Sequence, residues 1–346
     1  MNIDALNLSK NIEEKFQQFK QEENFSAIAK LITYALQVNS RQHNLKLFGY
    51  IPQLFRTVAI SADPNSIEKE DIYIGEPVVY QIFYSGDRQL YGLNYFYVFC
   101  YFKENSDRLN VYFQSANPNY KNLVLEDYSI AGNKISFEGC ISSFNHDSLS
   151  IMSISDPGHF IPGITSSYYI GSPELNFPKL IAEVLERIVN LAKIKLDRTL
   201  LFGSSAGTFG ALLSSTYLTQ KTNVLAVNSQ INIKYRQDII NSCFNIKDSK
   251  DVVKNFNAKL SCIDRFKEEL NSTPNVYILA NINDKLHQRN FNFYQNYIER
   301  FTRKNINNQS VFDSYYGVEG HGRPEPFSLK AKIKIAREIL TMKSTP

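Results

Sequence analysis

The segment Gly203-Ser204-Ser205-Ala206-Gly207 fits the pattern G-x-S-x-G, with an apolar run before it and another after it. A serine held at a sharp turn between a strand and a helix can attack an acyl group. Glycine is needed on both sides because a side chain there would collide with the neighbouring strand and helix. The turn also places the amide of Ala206 at the start of a helix, where it can donate to an oxyanion. We interpret Ser205 as a nucleophile and Ala206 as an oxyanion donor; a glycine-rich turn that only packs tightly or binds a phosphate is the alternative.

A serine hydroxyl becomes an effective nucleophile only beside a base. Two histidines follow Ser205 in the chain, His287 and His321. His321 lies in the glycine-flanked stretch GVEGHGRP, between the last predicted strand and the last predicted helix, which belongs at the same edge of the sheet as the turn at Ser205. His287 comes at the start of a predicted helix. We therefore predict His321 as the base, and the adjacent Arg323 as a contact for an anionic donor or acceptor group; an exposed structural arginine is the alternative.

The base in turn needs an orienting acid, which in this order of elements comes between the serine and the histidine. Asp284 follows the predicted strand VYILA directly, in the segment NIND. It therefore emerges at the carboxyl edge of the second strand after Ser205. We predict Asp284 as the acid; an aspartate that caps the following helix is the alternative, and the two roles are compatible.

A second oxyanion donor is expected from the loop after an earlier strand. The run LNVYF is followed by Gln114 and Ser115, and we predict the backbone amide of one of them as this donor. The next strand is followed by SDPGH, which contains Asp156 and His159. These two residues lack a third ligand at a spacing suited to a metal, so we predict no metal site. We predict instead that they contact substrate, with ordinary turn chemistry as the alternative.

The surrounding elements alternate in a way that predicts the fold class. Three runs rich in Tyr, Phe, Val and Ile, close together and separated by turn residues, predict strands and an antiparallel start to a sheet. After residue 149, strands alternate with helices, which predicts a mostly parallel central sheet with helices on both faces. The predicted strands cover residues 72–84, 93–102, 109–116, 149–155, 198–203, 223–229, 275–283 and 310–317, and the main helices 178–193, 206–218, 286–301 and 326–340.

The first forty residues differ from the rest of the chain. Apolar residues recur there at helical spacing, beginning with Ile12, Phe16 and Phe19. We predict an N-terminal helical extension over residues 1–65 and an α/β domain over residues 66–346. The extension packs on the domain in the simplest interpretation; a dimer interface is the alternative.

Composition excludes several classes of function. The chain has 346 residues, 43% of them hydrophobic, and a net charge of +4. Its basic residues are scattered, which does not favour nucleic acid as a partner. No uncharged apolar run could span a bilayer, no apolar leader is visible, and the four cysteines are far apart. We predict a cytoplasmic protein with reduced thiols; attachment to the inner face of the membrane through partners stays open.

The short motifs FQSA, ISDP, FGSSAG, VNSQ, NIND and GHGRP add a resemblance. From about residue 71 onwards the chain resembles the α/β-hydrolase superfamily. More narrowly, it is similar to bacterial proteins of capsule and surface-polysaccharide biosynthesis, some of which are O-acetyltransferases. The resemblance implies an α/β-hydrolase fold, a triad of Ser205, Asp284 and His321, acetyl-CoA as acyl donor and a polysaccharide or sugar hydroxyl as acceptor. The chain departs from lipases and esterases because it has no HGGG-type oxyanion loop.

Two further functions remain open at this point. An esterase of the same fold would release acid from small esters without any sugar acceptor. A non-catalytic partner in surface-glycan assembly, as a homodimer or in a capsule-assembly complex, would form its complexes normally without the Ser205 hydroxyl. The order of serine, aspartate and histidine favours an enzyme, because a non-catalytic protein has no physical need for all three.

Overall fold

The structure is a computed structural model that describes residues 55–84, 94–116, 148–161, 163–247, 250–268, 274–297, 310–317 and 326–342, with short pieces between 14 and 31 and at 137 and 139. Most of the predicted N-terminal extension lies outside these residues. So do His321 and Arg323.

Nine strands form one sheet in the spatial order β1-β2-β3-β5-β4-β6-β7-β8-β9. Strand β3 is antiparallel to both of its neighbours, and all other pairs are parallel. The predicted antiparallel start and the mostly parallel remainder are therefore confirmed. The strands are β1 Arg56–Ser61, β2 Pro77–Phe83, β3 Tyr95–Tyr101, β4 Leu109–Phe113, β5 Ser150–Ile154, β6 Thr199–Ser204, β7 Asn223–Val227, β8 Asn275–Asn281 and β9 Ser310–Tyr315.

The described helices lie between and after the parallel strands. They are α1 Phe177–Leu191, α2 Ala206–Ser215, α3 Gln237–Phe244, α4 Lys250–Asn255, α5 Asn257–Leu260, α6 Cys262–Glu268, α7 His287–Tyr297 and α8 Pro326–Met342. Helix α1 shows why these sequences form helices. The Asn176 side chain accepts a hydrogen bond from the Lys179 amide and Pro178 occupies the first turn, so the helix starts where it was predicted. Among the described helices, none combines the length and the apolar character needed to cross a membrane.

The sheet is buried on both faces, and successive residues of each strand face opposite sides. On β6, Leu201 belongs to a large core shared with α1 and α2, while Leu200 belongs to a second core. Ala336 and Leu340 of α8 contribute to that second core. Strand β7 alternates in the same way, so its continuous apolar run reflects burial on two sides.

The sheet begins earlier than the predicted boundary at residue 66. Strand β1, with the sequence RTVAIS, lies inside the segment assigned to the helical extension and pairs in parallel with β2. Three of its residues are polar, and two of these are exposed. The strand lacks the apolar run that identified the other strands. It is the edge strand of the sheet, and an edge strand can carry exposed polar residues.

The order of the central strands creates a crevice at the carboxyl edge. Strands β4 and β6 are neighbours, but the chain leaves β4 towards β5 on one side and leaves β6 towards β7 on the other. Two loops that diverge from adjacent parallel strands leave an opening between them, which is where open α/β sheets bind ligands. Ser115 follows β4 and Ser205 follows β6, so both lie at this opening.

Candidate active site

Ser205 occupies a strained turn between β6 and α2, with φ 51° and ψ −118°. A positive φ is costly for a residue with a side chain, so the surrounding structure must hold it in place. The Ser205 amide donates to the carbonyl of Val227 on the neighbouring strand, at 2.9 Å. A Cβ on Gly203 would lie 2.5 Å from the carbonyl of Gly207, and a Cβ on Gly207 would lie 2.3 Å from the Phe113 oxygen. The predicted requirement for glycine on both sides is confirmed.

The turn is bordered by the predicted oxyanion donors. Ala206 is the first residue of α2 and is fully buried. An amide in the first turn has no acceptor within its helix, and the helix dipole favours negative charge beside it. Ser115 lies against the turn because its hydroxyl donates to the Ser204 carbonyl at 2.9 Å. The oxyanion roles of Ala206 and Ser115 stay predictions.

The prediction for the amide of Gln114 is wrong. This amide donates to the Ile154 carbonyl at 3.1 Å and continues the pairing of β4 with β5. The Gln114 side chain is buried as well, and its Oε1 accepts a hydrogen bond from the Asp156 amide at 3.0 Å. Gln114 therefore fastens the ends of two strands together, and its amide is not available to an oxyanion.

The prediction that Asp156 contacts substrate is also wrong. Its side chain is 1% exposed. The carboxylate accepts hydrogen bonds from the amides of Gly158 and Ser167, both at 2.8 Å, and from the hydroxyls of Ser166 and Ser167. Asp156 instead organises the loop at residues 156–169 from within. The backbone of His159 lies in the short helix Pro157–Phe160 of that loop, and its predicted contact with substrate stays a prediction.

The same loop delivers a tyrosine towards the nucleophile. Tyr168 and Tyr169 are both buried and both have positive φ, 54° and 60°. The Tyr168 hydroxyl donates to Oε1 of Gln230 at 2.6 Å and accepts from Nη1 of Arg236 at 2.9 Å. Burial raises the pKa of Tyr168 to about 12, so this hydroxyl keeps its proton at neutral pH.

Gln230 connects this tyrosine to Ser205. Its Nε2 donates to the Ser205 Oγ at 3.1 Å, and its backbone amide donates to the Thr208 hydroxyl at 3.1 Å. We call the series Arg236, Tyr168, Gln230 and Ser205 the Gln230 chain. When the serine oxygen accepts a hydrogen bond from Gln230, its own proton is directed elsewhere, and negative charge developing on the oxygen is stabilised.

The sequence analysis missed this role of Gln230. One signal was available, since the motif VNSQ places a glutamine three residues after the end of β7, at the same edge as Ser205. No comparable signal existed for Tyr168. It lies in an irregular loop, and its position depends on the hydrogen bonds of Asp156.

Asp284 lies three residues after β8, at the carboxyl edge, and is 5% exposed. Its Oδ1 accepts a hydrogen bond from the Leu286 amide at 2.8 Å, and its carbonyl accepts one from the His287 amide at the start of α7. The Asp284 side chain thus stabilises the turn that leads into α7, at the edge of the sheet where an acid is expected. The catalytic role of Asp284 stays a prediction.

A buried asparagine joins this turn to the segment after β9. The Oδ1 of Asn281 accepts hydrogen bonds from the amides of Asn283 and Gly317, and Nδ2 of Asn283 donates to the Gly317 carbonyl at 2.7 Å. A Cβ on Gly317 would lie 2.7 Å from the side-chain nitrogen Nδ2 of Asn281. The stretch that carries His321 and Arg323 therefore starts at the Asp284 turn. The roles of His321 and Arg323 stay predictions, because both lie outside the described residues.

The other histidine after Ser205 has a packing role. The ring of His287 lies 5.8 Å from that of Phe312 on β9, edge to face. Across the part of the chain that the structure describes, no three His, Cys, Asp or Glu side chains are grouped to hold a metal ion.

The strand order, with β5 inserted between β3 and β4, and the sharp turn at Ser205 between β6 and α2 are those of the α/β-hydrolase fold. No protein-family model matches the sequence, and no curated protein matches it. Among solved structures, the chain is similar to the capsule O-acetyltransferase of Neisseria meningitidis serogroup A. The TM-score is 0.51 at 15% identity, over 73% of this chain and 93% of that one.

A second structure of that enzyme, a variant in complex with CoA, matches with a TM-score of 0.50 at 15% identity, over 75% of this chain and 98% of the other. A fluorophosphonate-binding serine hydrolase of Staphylococcus aureus is also found, with a TM-score of 0.46 at 15% identity, over 78% and 99% of the two chains. The likeness is one of fold. The fold of this protein is therefore similar to that of a capsule O-acetyltransferase.

Proposed function

We propose that the protein is a serine O-acetyltransferase that moves an acetyl group from acetyl-CoA to a hydroxyl of a bacterial capsular or surface polysaccharide. The observation that carries the proposal is Ser205 itself, held in a strained turn with its Oγ bonded to Gln230 and the first amide of α2 beside it. Such strain persists where it serves a function, because folding alone has no need of it. The similarity in fold to a capsule O-acetyltransferase, one of whose structures contains CoA, supports the choice of donor and acceptor.

Acylation begins when His321, oriented by Asp284, takes the proton of Ser205. The Ser205 Oγ attacks the thioester carbonyl, and a tetrahedral intermediate forms with its negative charge on oxygen. The amides of Ala206 and Ser115 donate to that oxygen. The carbon–sulfur bond then breaks, the CoA thiolate takes the proton from His321, and acetyl-Ser205 remains.

Transfer follows the same steps with a new nucleophile. His321 takes a proton from a sugar hydroxyl, whose oxygen attacks the acetyl carbonyl. The bond to Ser205 breaks, and Oγ recovers a proton from His321. Gln230 assists both halves because it donates to Oγ whenever this oxygen carries negative charge. The product is an acetylated sugar and the free enzyme.

The test uses separate samples of the full chain: one is labelled with a serine-directed phosphonate, and the other is incubated unlabelled with acetyl-CoA and a panel of bacterial glycans. We expect wild-type protein to gain one phosphonate and to form an acetylated glycan detected by mass. Ser205→Ala should do neither, because it lacks the attacking oxygen. Ser214→Ala is the matched control, since this serine lies on α2 and its buried hydroxyl has no hydrogen-bond partner among the described residues. Labelling of Ser205→Ala would remove the assignment of the nucleophile.

The acceptor is tested in the same experiment. An acyl-enzyme that transfers acetyl to a glycan supports the transferase, whereas one that releases acetate at the same rate with and without glycan supports an esterase. We further propose that the protein acts in the cytoplasm, as a homodimer or within a capsule-assembly complex at the inner face of the membrane. Normal assembly of such a complex by Ser205→Ala, together with a wild-type protein that takes up no phosphonate, would support the non-catalytic alternative.

A further inference from the structure

A cavity of about 310 Å³ lies next to Gln230, the hydrogen-bond partner of the nucleophile. Gln230, whose side chain is bonded to the Ser205 Oγ, forms part of its wall. The remaining wall comes from the segment after β7, from Ile263 of α6 and from the start of α7. This volume is at the lower end of the range for ligand sites and fits one small unit of a substrate rather than a whole polymer.

The wall of the cavity is apolar with a few polar groups. Ile231, Ile263, Leu286 and Phe293 give it an apolar surface, and the amide side chains of Asn232 and Asn292 face the same space. Arg289 is the one charged residue among the described residues that line it. A site of this composition suits a ligand with some apolar surface, one charged group and a few hydrogen-bonding groups.

The Arg289 guanidinium is held by an aromatic ring. Its central carbon lies 4.2 Å from the centroid of the Tyr235 ring, in a cation–π arrangement. Stacking restricts the plane of the guanidinium but leaves the N–H groups at its edge available for hydrogen bonds. Tyr235 is 45% exposed, so the pair lies at the mouth of the cavity.

Two cations close to Arg289 in this region, Lys234 and Arg236, form ion pairs with carboxylates, whereas Arg289 differs. Arg236 lies 3.1 Å from Asp238, and Lys234 lies 2.5 Å from Asp264. Within the described part of the chain, Arg289 forms no ion pair with a carboxylate. A guanidinium fork suits the two oxygens of a carboxylate or a phosphate, and it binds them with two parallel hydrogen bonds.

We propose that Arg289, held by Tyr235, binds an anionic group of the substrate in this cavity, either a carboxylate or a phosphate. The inference rests on the proposed acyl transfer at Ser205 and names a chemical property of its substrate. A carboxylate would come from an acidic sugar of the acceptor, and a phosphate from the CoA part of the donor. Both sources satisfy the same guanidinium, and the experiment distinguishes them.

The experiment measures equilibrium binding to the full chain, so it does not depend on turnover. Two pairs of probes each differ in one charged group: phosphopantetheine, which is a part of CoA, against pantetheine (the CoA pair), and glucuronic acid against glucose (the sugar pair). Wild-type protein is compared with Arg289→Gln and with Arg56→Gln. Arg56 is the matched control because it is also an exposed arginine that lies over a tyrosine ring, that of Tyr73. It forms an ion pair with Glu76 and lies on β1, outside the cavity wall.

In one of the two pairs, we expect wild type to bind the charged member at least about tenfold more tightly than the neutral one, which corresponds to about 1.4 kcal/mol. Arg289→Gln should lose that preference, and Arg56→Gln should keep it. Preference within the CoA pair identifies the phosphate of the donor, and preference within the sugar pair identifies the carboxylate of the acceptor. Because Arg289 is exposed, we expect the thermal unfolding of Arg289→Gln to match that of wild type.

Two results would overturn the proposal: no preference for charge in either pair, or a preference that survives Arg289→Gln. Phosphonate labelling of Ser205 in parallel samples of the same proteins separates this inference from the proposed function. Labelling without a preference for charge removes only the role of Arg289, whereas a preference for charge without labelling removes only the acyl transfer.

Discussion

Two segments at the carboxyl edge of the sheet hold strained backbone, and they do so by different means. In the turn at Ser205 the strained residue is the nucleophile, and close backbone contacts at Gly203 and Gly207 enforce the geometry. In the loop at residues 156–169 the strained residues are Tyr168 and Tyr169. There a buried carboxylate, that of Asp156, holds the loop through hydrogen bonds to its amides and hydroxyls.

The two segments meet in the Gln230 chain, since Tyr168 binds Gln230 and Gln230 binds Ser205. The turn at Ser205 is fixed by close packing around glycines, which have no side chains. The loop that carries Tyr168 is fixed by hydrogen bonds between polar groups. Removing a network should destabilise the fold and displace Tyr168. Filling the space at a glycine should deform the nucleophile itself.

Asp156→Ala should have the largest effect. It leaves the amides of Gly158 and Ser167 and two hydroxyls buried without their acceptor, and we expect a loss of about 4 kcal/mol in the free energy of unfolding. Urea denaturation measures this loss. Asp63→Ala is the matched control, because Asp63 caps a short helix before a proline in the same way but at the surface. A loss below about 1 kcal/mol for both variants would show that the Asp156 network is not needed.

Gly207→Ala should have the next largest effect. The added methyl group would lie 2.3 Å from the Phe113 oxygen, which is backbone and can move only with β4. We expect a loss of about 3 kcal/mol in stability and no phosphonate labelling of Ser205. Ser214→Ala on the same helix should change neither quantity. Normal labelling of Gly207→Ala would contradict the view that close packing fixes the nucleophile.

Tyr168→Phe should have the smallest effect, and it should act on the reaction alone. The ring still fills its place against Phe209, but the hydrogen bond to Gln230 Oε1 is lost. We expect phosphonate labelling to slow by about fivefold, equivalent to about 1 kcal/mol, with stability nearly unchanged. A rate equal to that of wild type would show that Gln230 is positioned without Tyr168.

Much of the fold could be predicted from the sequence, because it depends on local patterns. Continuous apolar runs predict the buried strands β6, β7 and β8, and apolar residues at helical spacing predict the amphipathic helix α1. Strand β1 could not be found in this way, since an edge strand with polar residues lacks an apolar run. The spatial order of β4 and β5 was equally hidden, because it depends on pairing between distant parts of the chain.

The site divides along the same line. The turn at Ser205 and the position of Asp284 after β8 follow from short motifs and strand ends. The errors at Gln114 and Asp156 share one cause, since both residues follow a strand at the correct edge but are committed to hydrogen bonds with partners 40 and 11 residues away in the chain. Spacing along a sequence cannot show whether a polar group is already satisfied.

The side chain of Asn281 has a consequence for the histidine proposed as the base. Gly317 is fastened to the turn that carries Asp284, and His321 comes four residues later in the chain. Covalent geometry alone then keeps the Cα of His321 within about 14 Å of Gly317. One buried side-chain amide therefore fixes the start of the segment that leads to the proposed base beside the turn that carries the proposed acid.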